Sequence, residues 1–325
     1  MLVLLALLFS SVAYGVAEGE GVFKNVFWQP NEVQQGSVLF FTVEFEKPAK
    51  KVSGTLLGKE LTFFHGPKAE VWYALGGVDM DAAPGSYDLA VRTVSANGRV
   101  SRTTKKVDVA SGNFKEGTAE VEQKFVTPDE TEKKQIGADQ VLKDRAFAHL
   151  IPTPQWSGEF IKPVAAPVTD SFGMSRVYNE ELTSQHRGTD FPIGEGAPVV
   201  ASNAGTVVLA HPLFYEGNCV IVDHGQHFAT IYMHLSKIDV KVGDRLKKEQ
   251  RVGLSGATGR VTGPHLHMGV RWNGAYLNPT KLLALTLPET RADAAKAGGE
   301  KAATTGSKHR SSAHRSSARR SGVRR

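Results

Sequence analysis

Short apolar runs separated by glycine and proline turns recur along most of this 325-residue chain, and they restrict it to a mainly β fold. Each run is only a few residues long and is rich in β-branched and aromatic side chains. No long helical period interrupts residues 159–285, so a mainly antiparallel domain is predicted there. Its strand-like runs include Gly205 to Ala210, Cys219 to Asp223 and His265 to Arg271.

A second β-rich region covers residues 20–110. Turn pairs such as Pro84-Gly85 and Asn97-Gly98 separate its strand-like runs. Each strand needs a second layer to cover its apolar face, so the pattern predicts a small antiparallel sandwich. The phrase Ala83 to Leu89 resembles the turn and strand of bacterial immunoglobulin-like modules, which implies an immunoglobulin-like β-sandwich domain.

The segment between these regions, residues 111–158, is charged and is interpreted as a linker. Thr127 can cap a helix, Pro128 suits a first turn, and Glu130 can complete a capping box. A linking helix from about 128 to 149 is therefore predicted, with its charges on a solvated face.

Both ends of the chain are predicted to lie outside the folded domains. Residues 1–17 contain the apolar run Leu2 to Phe9 followed by small residues, which is typical of a signal peptide. Residues 286–325 are expected to form a disordered basic tail, because they contain almost no large apolar side chain. The tail has a net charge of about +7, whereas the whole chain has a net charge of +6. The rest of the chain is therefore near −1.

These ends predict an exported protein that acts in a periplasm or outside the cell at the wall. No later stretch approaches the roughly twenty apolar residues of a membrane helix, so no stable span is expected after signal removal. The single cysteine, Cys219, excludes an internal disulfide and is interpreted as a buried thiol. The tail favours anionic envelope polymers over nucleic acid as partners, because an exported protein meets those polymers first.

Two histidine motifs carry the candidate chemistry. In His186-Arg187-Gly188-Thr189-Asp190, an imidazole and a carboxylate are both ordinary zinc ligands. Gly188 and Pro192 oppose a continuous helix, so this motif is expected on a loop that enters a strand. In His265-Leu266-His267, the two histidines would project from one face of a strand. Together the motifs supply nitrogen and oxygen ligands without a thiolate, which is typical of a catalytic zinc site.

A third histidine, His234, ends the strand-like run Ile231 to Leu235. Its position alone indicates a structural residue. The same interpretation, structural or on the surface, applies to His211, His224 and His227.

The order and spacing of these motifs resemble those of the lysostaphin-type, or LytM-like, zinc metallopeptidases. The resemblance rests on His186 to Phe191, Tyr232 to Leu235 and Gly263 to His267. Framework residues that agree with it are Ser171-Phe172-Gly173, Gly196 to Ala201, Gly205-Thr206-Val207, Val242-Gly243-Asp244 and Asn278-Pro279. It implies a compact antiparallel β peptidase domain over residues 159–285, of the duplicated hybrid motif fold, with a narrow groove over the metal.

Carried over by position, the resemblance implies that His186, Asp190 and His267 bind Zn2+. It further implies that His265 is the general base, and that His234 orients the water or stabilises the tetrahedral intermediate. His234 thus changes from a structural to a catalytic interpretation. The implied activity is hydrolysis of peptide bonds in bacterial peptidoglycan, in the stem peptide, a cross-link or a bridge.

Two other functions stay open at this point. Some family relatives have lost metal ligands and regulate other wall hydrolases, which makes a non-catalytic regulator the main alternative. No expected ligand is missing here, and this favours the enzyme. A wall-binding structural protein would explain the sandwich and the tail but not the histidines. Bond preference is expected to depend on groove loops at 176–184 and 211–218, and we hypothesise that the N-terminal module or the linker covers the groove.

Overall fold

The computed structural model describes residues 22–169 and 172–289. The predicted signal peptide, Ser171 and most of the predicted tail therefore lie outside the described residues. Within these ranges the chain is mainly β, as predicted. None of the helices found there is long and apolar enough to cross a membrane.

Nine strands form two sheets over residues 22–110. They are β1 (Phe23–Gln29), β2 (Val33–Gln34), β3 (Val38–Phe45), β4 (Ala49–Leu56), β5 (Lys59–Thr62), β6 (Phe64–His65), β7 (Val71–Gly77), β8 (Gly85–Ser95) and β9 (Val100–Ala110). The first sheet has the order β1-β3-β7-β6 and is antiparallel. The second has the order β2-β9-β8-β4-β5, with only the short β2–β9 pair parallel. Both sheets contribute apolar side chains to one buried cluster, while the immunoglobulin-like character of this region stays a prediction.

The segment after β9 contains β10 (Glu116–Ala119), a short 3-10 helix at Gln123–Phe125 and helix α1 (Glu130–Ala148). The expected cap at Thr127 is wrong, because the capping box forms at Asp129. The Asp129 carboxylate accepts from the Glu132 N–H, and the Glu132 carboxylate accepts from the Asp129 N–H, both at 2.8 Å.

Most charged side chains of α1 are exposed, as predicted, but one side of the helix is buried. Asp139 and Ala146 are buried on one side of the helix. The Asp139 carboxylate accepts a hydrogen bond from the Phe214 N–H at 2.6 Å. Ala146 packs with Leu209 and Ile221 in a second apolar cluster. The helix is therefore fixed to the region that follows it.

The remaining strands form three further sheets. They are β11 (Ser175–Tyr178), β12 (Leu182–Gln185), β13 (Gly188–Phe191), β14 (Pro198–Val200), β15 (Gly205–Leu213), β16 (Gly217–Asp223), β17 (Phe228–Leu235), β18 (Lys237–Ile238), β19 (Arg245–Leu246), β20 (Arg251–Leu254), β21 (Leu266–Trp272) and β22 (Ala275–Leu277), followed by helix α2 (Pro279–Leu283). The largest sheet is antiparallel, with the order β13-β21-β17-β16-β15-β19 and with β22 beside β21. The smaller ones are β14-β20-β18 and β10-β11-β12, in which β10 joins β11 in parallel.

The two segments expected as groove loops are largely the ends of hairpins. Residues 176–184 belong to the β11–β12 hairpin, and residues 211–218 belong to the β15–β16 hairpin. Ladder hydrogen bonds therefore hold both segments, so the groove walls are more regular than loops would be.

The first two sheets and the largest sheet pack on each other through a common core. Trp272 is fully buried, and a Cβ added to Gly76 would lie only 2.9 Å from its ring. The Gln226 amide donates to the Thr62 carbonyl at 2.7 Å across the same boundary. The region 22–110 is thus packed against the region that carries the histidine motifs.

Candidate metal centre

Asp190 and His267 face each other because β13 and β21 pair in the register that sets these two residues opposite. The His267 Nδ1 atom lies 3.0 Å from the Asp190 Oδ1 atom. His186, just before β13, brings its Nε2 atom within 3.0 Å of Asp190 Oδ1 and 2.9 Å of His267 Nδ1. Three donor atoms from two separate motifs therefore converge on one point.

The donor set fits a catalytic zinc ion. Zinc bonds of 2.0 to 2.1 Å in a tetrahedron place ligand atoms about 3.3 to 3.4 Å apart. The triangle formed by His186, Asp190 and His267 has edges of 2.9 to 3.0 Å, so binding needs outward shifts of a few tenths of an ångström. Two nitrogens and one oxygen leave the fourth position to water or substrate.

Electrostatics favour the protonation states that bind metal. Burial alone would raise the pKa of Asp190, but hydrogen bonds from His186 and His267, together with their charges, outweigh burial and hold this pKa well below its usual range. Burial lowers the pKa of His267 to about 4, although its hydrogen bond to Asp190 acts in the opposite direction. A carboxylate and a neutral imidazole are the forms that metal binding requires.

The site depends on the missing side chain of Gly188. A Cβ at this position would overlap the His267 ring and the Met268 carbonyl. Glycine therefore lets β21 approach β13 with the His267 ring between them.

Arg176 completes the surroundings of Asp190, and no sequence motif indicated this role. Its Nη2 atom donates to Asp190 Oδ2 at 2.8 Å, so Oδ2 is held by a cation while Oδ1 faces the imidazoles. Arg176 lies on β11, which belongs to a different sheet from β13. No spacing rule links residues that meet between two sheets.

His265 lies beside the three donors with a defined tautomer. Its Nδ1 atom is 2.8 Å from the Gly263 carbonyl oxygen. A carbonyl can only accept, so Nδ1 carries the hydrogen, and in the neutral ring Nε2 has the free lone pair. Nε2 lies 3.6 Å from Asp190 Oδ1. His265 can therefore accept a proton at the edge of the site.

His234 is held opposite His265, with 5.0 Å between the ring centroids. Its Nδ1 atom donates to the Thr258 carbonyl at 2.8 Å, which again leaves Nε2 free. Its backbone adopts φ of 62°, an uncommon conformation for a residue other than glycine, beside a register shift between β16 and β17. Burial, reinforced by His267 and His265, lowers the pKa of His234 to about 3.

All five predicted site residues line one groove of about 950 Å3. His224, in contrast, lies outside it in a buried network with Ala204 and Thr230. Cys219 is fully buried, and burial raises the pKa of its thiol, as suits a structural thiol.

Residues 184–279 match the family model described as Peptidase family M23, and this range contains all five histidine and aspartate residues of the site. Residues 184–279 therefore form a peptidase M23 domain. The M23 region, residues 184–279, thus includes β13 and β21, the two strands that bring the two histidine motifs together.

Two peptidoglycan DD-endopeptidases of Vibrio cholerae are among the relatives of this chain. ShyA is 49% identical over 96 residues, which are 30% of this chain and 22% of ShyA. ShyC is 39% identical over 133 residues, which are 40% of this chain and 30% of ShyC. The chain therefore spans less than a third of the length of these curated relatives.

This chain is also similar to a crystal structure described as a peptidase M23 from Pseudomonas aeruginosa. The TM-score is 0.59 at 26% identity, over 78% of this chain and 95% of that chain. This coverage exceeds residues 184–279, so the similarity extends beyond the M23 region itself.

Proposed function

We propose that this chain is a zinc-dependent endopeptidase that hydrolyses peptide bonds in bacterial peptidoglycan by means of metal-activated water. The observation that carries the proposal is the convergence of donor atoms from His186, Asp190 and His267 beside two imidazoles of defined tautomer. The relatives named as peptidoglycan DD-endopeptidases support the substrate class.

Each residue of the site has a separate role in the proposed hydrolysis. Zinc held by His186, Asp190 and His267 would supply Lewis acidity and a water of lowered pKa. His265 accepts a proton at Nε2 and later delivers it to the leaving amine from the same atom. His234 orients the attacking water or stabilises the charge that develops on the substrate.

The proposal is tested by the release of new amines from purified peptidoglycan, with mass analysis of the products. Wild type should cleave, and a chelated sample should lose activity and regain it with zinc. His265→Ala should lower the rate by about 10² to 10⁴-fold, because it removes the proton acceptor. His149→Ala is the matched control, since His149 is exposed at the end of α1 and lies outside the groove.

The products would identify the bond as part of the stem peptide, a cross-link or a bridge. If a folded, zinc-loaded protein leaves the wall intact, the regulator of other wall hydrolases becomes the better assignment. A peptidoglycan substrate also agrees with the predicted export to a periplasm or to the outside of the cell.

A further inference from the structure

The basic side chains that line the groove differ in whether a carboxylate lies beside them. Four lysines and arginines line the groove, and three of them lie within 4 Å of a carboxylate. These pairs are Lys143–Glu216, Arg176–Asp190 and Arg187–Asp81. Among residues 22–169 and 172–289, no carboxylate lies that close to the fourth cation, Arg260. The groove therefore has one uncompensated positive charge in the part of the chain that the structure describes.

Arg260 is held in place by two aromatic rings. Its Cζ atom lies 4.5 Å from the ring centroid of Tyr178 and 4.8 Å from that of Tyr215. Contacts of this kind fix a guanidinium without using its N–H donors. Within the described residues, none of those donors has a hydrogen-bond partner. Arg260 is thus a positioned cation whose donors are free.

The loop that carries Arg260 also positions a residue of the proposed catalytic site. The backbone N–H of Arg260 donates to the backbone carbonyl of Tyr215 at 2.9 Å. Gly259 has φ of 77°, and a Cβ there would overlap the backbone of Gly217, so the loop packs closely on the β15–β16 hairpin. The preceding residue, Thr258, accepts the hydrogen bond from His234. Arg260 is therefore anchored on the same short loop that orients His234.

We propose that Arg260 binds a free carboxylate of the peptide substrate. This inference rests on the proposed function and specifies its substrate class. A guanidinium with free donors recognises a carboxylate through two parallel hydrogen bonds. Glycine bridges have no side-chain carboxylate, whereas wall stem peptides have several carboxylates. The groove therefore selects stem peptides with free carboxylates over amidated stem peptides and over glycine bridges.

The test compares two stem-peptide dimers that differ only in their carboxylates, which are free in one and amidated in the other. Wild type should prefer the free-carboxylate dimer in kcat/KM by about 10 to 100-fold, the range for a charge-assisted hydrogen bond. In Arg260→Gln this ratio should fall to about one, and Arg260→Lys should retain part of it. Arg245→Gln is the matched control, because Arg245 is exposed on β19 and outside the groove.

A merely structural role for Arg260 predicts a different result. Loss of the contacts with the tyrosines would lower kcat/KM for both dimers and leave their ratio unchanged. A ratio near one in wild type, or a preference that survives Arg260→Gln, overturns the proposal.

Binding measurements separate this inference from the proposed activity. The zinc-loaded His265→Ala protein should bind the free-carboxylate dimer with about 10-fold lower Kd than the amidated dimer, and addition of Arg260→Gln should abolish the difference. If wild type cleaves neither dimer while this pattern holds, the peptidase proposal fails and the carboxylate site stands. Equal Kd values for both dimers, or binding of neither, overturn the carboxylate site.

Discussion

At Gly188, a single hydrogen atom takes the place of a side chain next to the proposed metal ligands. The residue pairs with Gly269 across β13 and β21, and the His267 ring fills the space where a Cβ would lie. The position of one ligand is therefore set by a residue that cannot itself bind metal.

Gly188→Ala should weaken zinc binding by about 10 to 100-fold, the range for changes in residues that support metal ligands. The added methyl group would displace the His267 ring away from His186 and Asp190. Competition with a chelator of known zinc affinity measures the change. Gly194→Ala is the control, because a Cβ there meets no atom within 4 Å. Equal zinc affinity in the two variants would contradict this account of Gly188.

The site shows which residue contacts a sequence can predict. Asp190 and His267 belong to short motifs with recognisable spacing, and the structure brings them together with His186. The position of His234 at the end of a strand-like run, taken alone, indicated a structural role. Its side chain instead enters the groove because the backbone adopts a left-handed conformation beside a register shift. Neither that conformation nor the contact of Arg176 with Asp190 leaves a periodic signal in the sequence.

At the scale of elements, the prediction for α1 was close in its extent and in its exposed charges, but it did not include a buried side. Reciprocal hydrogen bonds of Asp129 and Glu132 define its start, and charges dominate its sequence. Its buried side is made by Asp139 and Ala146 rather than by a stripe of large apolar residues. A sequence pattern that relies on apolar periodicity therefore could not show that α1 packs on the M23 region.

The turn between β16 and β17 contains a buried histidine that links stability to pH. The His224 Nδ1 atom donates to the Ala204 carbonyl, and Nε2 accepts from the Thr230 hydroxyl. Burial lowers the pKa of His224 to about 4, so its neutral form is the stable one in the folded protein.

The free energy of unfolding should therefore decrease as the pH falls from about 6.5 to about 4. In that window the unfolded chain protonates His224 while the folded chain does not, and the loss is up to about 3 kcal/mol. The stabilisation by neutral, buried His224 is fully present above about pH 6.5. Denaturant titrations at several pH values measure the free energy of unfolding. This free energy should decrease less steeply with falling pH in His224→Gln than in wild type. The same slope in both proteins would assign the effect to other groups.

At the scale of the whole molecule, the linker is part of the groove rather than a separate cover. Thr118 next to β11, together with Gln140 and Lys143 on α1, lines the groove. Removal of the N-terminal part of the chain would take away this wall and would also expose the core around Trp272. The hypothesis of a covering module is therefore better examined by substitutions in the groove wall than by deletion.

The common core also predicts that the N-terminal sheets and the M23 region unfold together. Trp272 packs where Gly76 leaves room for its ring, and Leu277 does the same beside Gly77, so neither region has a closed apolar surface of its own. Trp272→Ala should lower the free energy of unfolding by about 3 to 5 kcal/mol through lost burial and a cavity. Phe27→Ala is the control, since 47% of Phe27 is exposed.

Hydrogen exchange followed by mass spectrometry resolves the two regions in the same sample. In Trp272→Ala, peptides from the sheets of residues 22–110 should exchange faster together with peptides from β17 and β21, because loss of the common core destabilises both. Faster exchange confined to β17 and β21 would mean that the N-terminal sheets are stable without this contact. In that case the N-terminal region would be an independent domain, as the sequence pattern by itself predicted, and deletion would again be a fair test of the covering hypothesis.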